Sequence, residues 1–204
     1  MKKNIYIIRH GESVANIGEK TDSHDTIPLS EKGKEQAKKL VNEIKIAPNL
    51  IVISPYSRTK ETAMPFIKKY KSVPVEVWDV HEFTYLNPKV YNNTSVDERM
   101  KAVFSYWNSL DIHYCDGGEA ESFFNFIKRM ESFIEKLKKR KEKNIVIFSH
   151  GLFIDSFKKY ISIIDKVKDK NELAFNLMSS IKERISSGEK FPIDNASIHE
   201  IFLD

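Results

Sequence analysis

Three short, unbroken apolar runs constrain the fold more than any other feature. They are Ile5-Tyr6-Ile7-Ile8, Leu50-Ile51-Val52-Ile53 and Ile145-Val146-Ile147-Phe148. Each is too short for a buried helix and has no polar face, the pattern of a strand covered on both sides. Val73 to Trp78 is a fourth strand candidate with Pro74 near its start, and Ser197 to Leu203 alternates at its centre like a final edge strand. Helical spacing fills the gaps. Ser30 is placed to cap a helix carrying Ala37, Leu40, Val41 and Ile44, and Ser57 to cap one carrying Ala63, Phe66, Ile67 and Tyr70, with Pro65 inside it. Met100, Val103, Phe104 and Trp107 mark a further helix, and Phe123 to Leu137 a long one. Two more run from about Leu152 to Ile163 and Lys170 to Ile185. Strands alternating with helices predict an α/β three-layer sandwich, with a mostly parallel central sheet flanked by helices.

The length of 204 residues suits a single domain spanning 1–204. The stretch from 82 to 118 breaks the strand–helix rhythm. It carries Tyr85, Tyr91, Trp107 and Tyr114 and a polar Asn92-Asn93-Thr94-Ser95 segment, and is expected to form an insertion, a cap or lid over one end of the sheet. Its aromatics suit either a substrate wall or an internal core. No apolar run approaches the length of a membrane span, and the run after Met1-Lys2-Lys3 ends at Arg9, too soon for a signal peptide. Cys115 is the single cysteine, which favours a reducing compartment. A cytoplasmic protein without membrane contact is therefore expected. The net charge of +4 is mild, and the densest basic stretch, Lys136 to Lys141, reads as the solvated end of a helix and not as a nucleic-acid site.

Two of the buried runs end alike, in Arg9-His10-Gly11 and in Ser149-His150-Gly151. Ligands of open α/β sheets sit outside the carboxyl ends of strands, so two histidines delivered there can face one site. A third run leads into Ser54-Pro55-Tyr56-Ser57-Arg58. Arg9 and Arg58 beside two histidines make a concentrated positive pocket, whose natural guest is a phosphate held by guanidinium forks. Zinc suits such a pocket poorly because the arginines repel a cation, and there is no Walker loop, CxxC pair or two-metal carboxylate cluster. Metal-free phosphoryl transfer remains: a neutral imidazole attacks phosphorus, cations stabilise the equatorial oxygens, and an acid protonates the leaving oxygen. No cofactor is needed.

Arg9-His10-Gly11-Glu12-Ser13 resembles the signature of the histidine phosphatase superfamily, the phosphoglycerate mutase-like family. Further segments fit in order along the chain. They are Asn16, Pro28 to Gly33 with Gln36-Ala37, Ser54-Pro55 with Arg58 and Thr62-Ala63, Glu82, Gly118-Glu119, Ser149-His150-Gly151, and Asn195-Ala196-Ser197. The resemblance implies that His10 is the nucleophile, that Arg9, Arg58 and His150 bind the phosphoryl group, and that Glu82 is the proton donor. It further implies a phosphate contact from Asn16 and close backbone approach at Gly151. His81, Glu119 and Glu121 are the alternatives to Glu82. Ser57 is a further candidate phosphate contact, with a helix cap the equal alternative. Glu12 is either an orienter of an arginine or a loop acid. Lys20 and His24 are expected in solvent, and His113, His199 and Cys115 outside the chemistry. The family's glycolytic mutases carry a longer, basic, Trp- and Pro-rich insertion after the acid. The shorter stretch beginning Glu82-Phe83-Thr84-Tyr85 favours a phosphatase acting on a small phosphorylated metabolite, with mutase and non-catalytic phosphate binder as alternatives.

Overall fold

The computed structural model describes residues 3–189 and 191–203. Five strands, β1 (Lys3–Arg9), β2 (Leu50–Ile53), β3 (Val75–Val77), β4 (Asn144–Ser149) and β5 (Ile198–Leu203), form one sheet in the order β3-β2-β4-β1-β5. The first four are parallel, and β5 pairs antiparallel with β1 at the edge. The three continuous apolar runs are the three inner strands, as the lack of a polar face requires. The fourth strand is narrower than its sequence pattern. Only Val75 to Val77 pair, because the Pro74 nitrogen cannot donate, while its carbonyl accepts from Ile51 N.

Side-chain alternation splits the core between the two faces of the sheet. Ile8, Ile51, Ile53, Val146 and Phe148 pack with α1 (Glu31–Glu43) and α2 (Ser57–Lys69) through Leu40, Ile44, Ala63 and Phe66. Ile5, Ile7, Val52, Ile145 and Ile147 pack on the other face with α4 (Phe123–Lys139), α5 (Gly151–Ile163) and α6 (Lys170–Ser187). This is the expected three-layer sandwich. Fully buried phenylalanines (123, 126, 153 and 157) fill the second face. Each such ring contributes about 1.5–3 kcal/mol by burial, so truncating one to alanine costs about 3–5 kcal/mol.

Local chemistry sets the helix starts. The hydroxyls of Ser30 and Ser122 accept from Gly33 N and Asn125 N, capping α1 and α4. Ser57 does not cap α2. The extended cap residue is Tyr56, and Ser57 is the first helical residue, its amide donating to Asp25 O. The basic stretch from Lys136 is the last turn of α4, although Arg140 just beyond it pairs with Glu76 and Glu142.

The 82–118 segment lies over the α4 side of the fold and contains α3 (Val96–Ser109), capped by Ser95 and packed against α6. Its aromatics divide between two duties. Tyr106 and Trp107 are buried core residues packed around Phe83, whereas Tyr85 and Tyr91 line a cavity and Tyr114 lies on the surface. Among the described residues no helix is long and apolar enough to cross a membrane.

Candidate active site

Because β1, β2 and β4 are parallel neighbours, their carboxyl ends open on one edge of the sheet. Arg9 pairs in register with Ser149, so His10 and His150 leave adjacent strands side by side. Their ring centroids are 5.2 Å apart and both side chains are buried. Arg58 enters the same space from the first turn of α2 and is also buried.

His10 is held by one ring nitrogen. Nδ1 lies 2.7 Å from the Gly11 carbonyl. A carbonyl only accepts, so Nδ1 carries the proton and Nε2 the lone pair. Arg58 Nε donates to that Nε2 at 3.2 Å. Burial, followed by the charges of Arg58 and Arg9, pushes the His10 pKa well below the ordinary histidine value, so the imidazole is neutral. The His10 backbone is clamped from both sides. Its amide donates to Ser149 O, and its carbonyl accepts from Ala196 N and from Asn195 Nδ2. Thr62 Oγ1 accepts from Gly11 N and donates to Arg58 O, joining the two motifs.

His150 is anchored in the opposite sense. Its Nε2 lies 2.8 Å from Ser54 Oγ, and its buried Nδ1 has no hydrogen-bond partner among the described residues. Burial and then the Arg58 charge lower its pKa well below the usual value. Tyr56 packs edge-on to His150, stacks on His81, lies under the Arg58 guanidinium at 4.9 Å and exchanges a hydrogen bond with Thr84 Oγ1.

Each arginine has one arm tied to the backbone. Arg58 NH1 donates to His24 O, and Arg9 NH1 to Ile193 O. Arg9 Nε is buried without a hydrogen-bond partner among the described residues. Burial pulls the Arg58 pKa down to about 10 and lowers that of Arg9, with Glu82 the main opposing charge in both cases. Both guanidiniums stay charged at neutral pH. Gly151 explains how Arg9 fits. A Cβ there would meet Phe191 Cε1 at 2.6 Å and Arg9 Nε at 3.2 Å.

Glu82 sits where Phe83 anchors it, with the Phe83 ring stacked on Phe126 at 4.7 Å. Its carboxylate accepts from Leu152 N at 3.1 Å and Phe153 N at 3.0 Å, the free amides at the start of α5. It also lines, with Arg58, a cavity of about 240 Å³. His81 gives its Nδ1 to the Glu82 carbonyl. Glu119 is on the surface beside Lys89, and Glu121 holds Arg129 through two hydrogen bonds, so neither reaches the cavity.

The remaining candidates divide clearly. Asn16 is exposed, and its Oδ1 accepts from Ser13 N and from Asn195 Nδ2, so it braces the loop that clamps His10. The Ser57 hydroxyl is half-buried and makes no hydrogen bond among the described residues. Glu12 orients no arginine. It accepts from Ser30 Oγ and Lys32 Nζ at the start of α1. Lys20 is exposed and pairs with Glu98. His24 departs from expectation. It is half-buried and lines the cavity, because the Arg58 bond to its carbonyl and its edge contact with Tyr56 draw the loop inward. His113 is exposed, His199 lies on the edge strand, and Cys115 is exposed. Sequence reasoning missed Ser54, Thr62, Tyr56, His24 and Arg99 as parts of this site. Ser54 and Thr62 stood inside recognised segments, but nothing local marked their roles. Among the described residues no three His, Cys, Asp or Glu side chains cluster as metal ligands.

The family model "Histidine phosphatase superfamily (branch 1)" matches residues 5–171. The chain is 26% identical over 149 residues to the adenosylcobalamin/alpha-ribazole phosphatase of Salmonella typhimurium, covering 72% of this chain and 73% of that one. The alpha-ribazole phosphatase of Shigella flexneri shares the fold, with a TM-score of 0.65 and 24% identity over 85% of this chain and 84% of that one. So does the phosphoserine phosphatase of Entamoeba histolytica crystallised with 3-phosphoglyceric acid, with a TM-score of 0.67 and 18% identity over 99% and 95%.

Proposed function

The chain belongs to the histidine phosphatase superfamily, branch 1, and from that footing we propose that it hydrolyses small phosphomonoesters through a phosphohistidine on His10. The observation that carries the reading is the His10 tautomer. Nδ1 is committed to the Gly11 carbonyl, and burial beside two guanidiniums keeps the ring neutral, so Nε2 presents a lone pair to an anionic phosphoryl group.

Arg58 Nε occupies that lone pair in the resting site. An arriving phosphoryl group accepts from Arg58 instead, and Nε2 is released to attack phosphorus. Arg9, Arg58 and His150 hold the equatorial oxygens, together with the Gly151 N–H. As the N–P bond forms, the P–O bond to the leaving group breaks, and the leaving oxygen takes a proton from Glu82. A water then gives a proton to the Glu82 carboxylate and attacks phosphorus. The N–P bond breaks, and inorganic phosphate leaves. Asn16 acts through Asn195 on the His10 carbonyl and offers its amide to the same anion, and the Ser57 hydroxyl supplies a further contact. No cofactor or metal takes part.

The 82–118 segment is the cap that selects the leaving group, and the modest cavity beneath it favours a small phosphorylated metabolite. The substrates named for the relatives, an alpha-ribazole phosphate and phosphoserine, set the range for a first panel. A lone exposed Cys115 supports a reducing, cytoplasmic setting. The test is phosphate release in EDTA from p-nitrophenyl phosphate, alpha-ribazole 5'-phosphate, phosphoserine, 3-phosphoglycerate, sugar phosphates and nucleotides, with acid-labile phosphate trapped on His10. Release that is resistant to EDTA and absent in His10→Ala is expected. Isomerisation of 3-phosphoglycerate without release would make the protein a mutase. Release that depends on added magnesium or zinc would overturn the mechanism.

A further inference from the structure

The cavity wall carries a cation that makes no ion pair among the described residues. Arg99, on the first turns of α3, lines the cavity that also takes in Arg58 and Glu82. Its Nε donates to Ser95 O at 3.1 Å. Its two terminal nitrogens make no hydrogen bond or ion pair among the described residues. The nearest acid in sequence, Glu98, is already taken by Lys20 and by the Ser95 amide. The same cavity is lined by Tyr85, Leu86, Val96 and Val103, with Thr21 and Asn92 among its polar members. The guanidinium is also held in place. The capping box of Ser95 and Glu98 sets the helix start, and the Lys20–Glu98 pair and the Thr21–Thr94 bridge bind it to the loop that carries His24.

We propose that Arg99 reads a carboxylate on the leaving group, so that the substrate is a short phosphomonoester with a carboxylate at its other end. This rests on the phosphatase reading of the same cavity. The phosphoryl end must lie at Arg9, Arg58 and His150, where several donors converge on one dianion. The Arg99 end offers a single guanidinium with one edge already used. Its terminal N–H pair matches the two oxygens of a carboxylate and is too sparse for a second phosphate. A guanidinium edge that the fold leaves unpaired inside the cavity gains a charge-assisted pair only from a ligand that brings an anion, which discriminates against neutral esters of the same size.

Paired esters test this in EDTA: 3-phosphoglycerate against glycerol 3-phosphate, and phosphoserine against phosphoethanolamine. Turnover of p-nitrophenyl phosphate, lost in His10→Ala, is measured alongside as the test of phosphatase activity itself. The wild-type protein should prefer the carboxylate ester of at least one pair by tenfold or more in kcat/KM. Arg99→Met should bring that ratio to within about twofold of unity, and Arg99→Lys should restore part of it. Melting curves show whether the variants are folded. If p-nitrophenyl phosphate is hydrolysed but the paired ratios are near one, or neither carboxylate ester is turned over, the carboxylate assignment is wrong and the phosphatase reading stands. A ratio that survives in Arg99→Met also overturns it. No turnover of any ester would overturn both.

Discussion

The ends of β1 and β4 are spelled almost alike, each delivering a histidine and then a glycine, yet they are wired in opposite ways. At β1 the ring is held by Nδ1, through the Gly11 carbonyl, and Nε2 faces Arg58. At β4 the ring is held by Nε2, through Ser54 Oγ, and Nδ1 is buried without a partner. An imidazole has one lone pair when neutral, and the nitrogen that is tied down decides what the other can do. A carbonyl anchor fixes the tautomer outright. A hydroxyl anchor does not, because it donates or accepts as needed. In the proposed reaction, then, β1 presents a committed nucleophile and β4 an adaptable partner for phosphoryl oxygens. The same contrast holds for the glycines. Gly11 meets backbone, with its missing Cβ 2.6 Å from Gly33 O, whereas Gly151 makes room for side chains, Phe191 and Arg9.

Removing the two rings should separate the ends most sharply. His10→Ala deletes the proposed attacking atom, and kcat should fall by about 10⁴-fold or more, with no acid-labile phosphoenzyme. His150→Ala removes one stabilising contact and should cost about 10²–10³-fold while still forming phosphoenzyme. Equal losses in the two variants would mean that the wiring difference has no chemical consequence. Rapid-quench labelling with radioactive ester distinguishes these outcomes.

The glycines come next. Gly11→Ala forces α1 away from the loop after β1, and should lower stability by about 1–3 kcal/mol in urea unfolding. Gly151→Ala should cost less stability, because side chains yield more easily than backbone. Its displacement of Arg9 should lower kcat/KM by about tenfold or more. A Gly151→Ala protein with full activity would show that Arg9 need not sit against α5.

The sequence carried some of this and not the rest, for physical reasons. The strands at Ile5, Leu50 and Ile145 were legible because burial on both faces leaves a run with no polar residue. His10, His150, Arg9 and Arg58 were legible because strand ends and helix starts are local signals. Glu82 was legible only through the family's spacing, since its bond to the start of α5 joins positions seventy residues apart. The ring wiring was invisible. Ser54 reaches His150 only because β2 and β4 are neighbours in the sheet. His24 and Arg99 were missed because the cavity wall forms where two aperiodic segments meet, at the Thr21–Thr94 bridge. Ser57 misled because a serine before a helical stripe usually caps it, and here the extended residue is Tyr56.

A smaller effect tests the anchor itself. Ser54→Ala leaves His150 Nε2 without its hydroxyl. The ring then keeps its place through Tyr56 and burial, but loses its hydrogen-bond partner at Nε2. A loss of roughly tenfold or less in kcat/KM is expected, with little change in labelling. If Ser54→Ala matches His150→Ala, the hydroxyl and the ring work as one unit, and the adaptable-partner account of β4 has to be replaced by a relay.

On stability the two ends should converge where their chemistry diverges. Burial holds both His10 and His150 neutral, with folded pKa values well below the ordinary one, near 6.5 in an unfolded chain. Below about pH 6.5 the unfolded chain takes up protons that the folded site refuses, so folding stability is fully present above that pH and declines as the pH falls toward the folded values. Each buried ring adds a slope that approaches about 1.4 kcal/mol per pH unit. Urea midpoints at pH 8, 7, 6 and 5.5 should therefore fall on acidification in the wild type and less steeply in both His10→Asn and His150→Gln. If either variant keeps the wild-type slope, that ring is not the one refusing protons, and the neutral state on which its chemistry depends is in question.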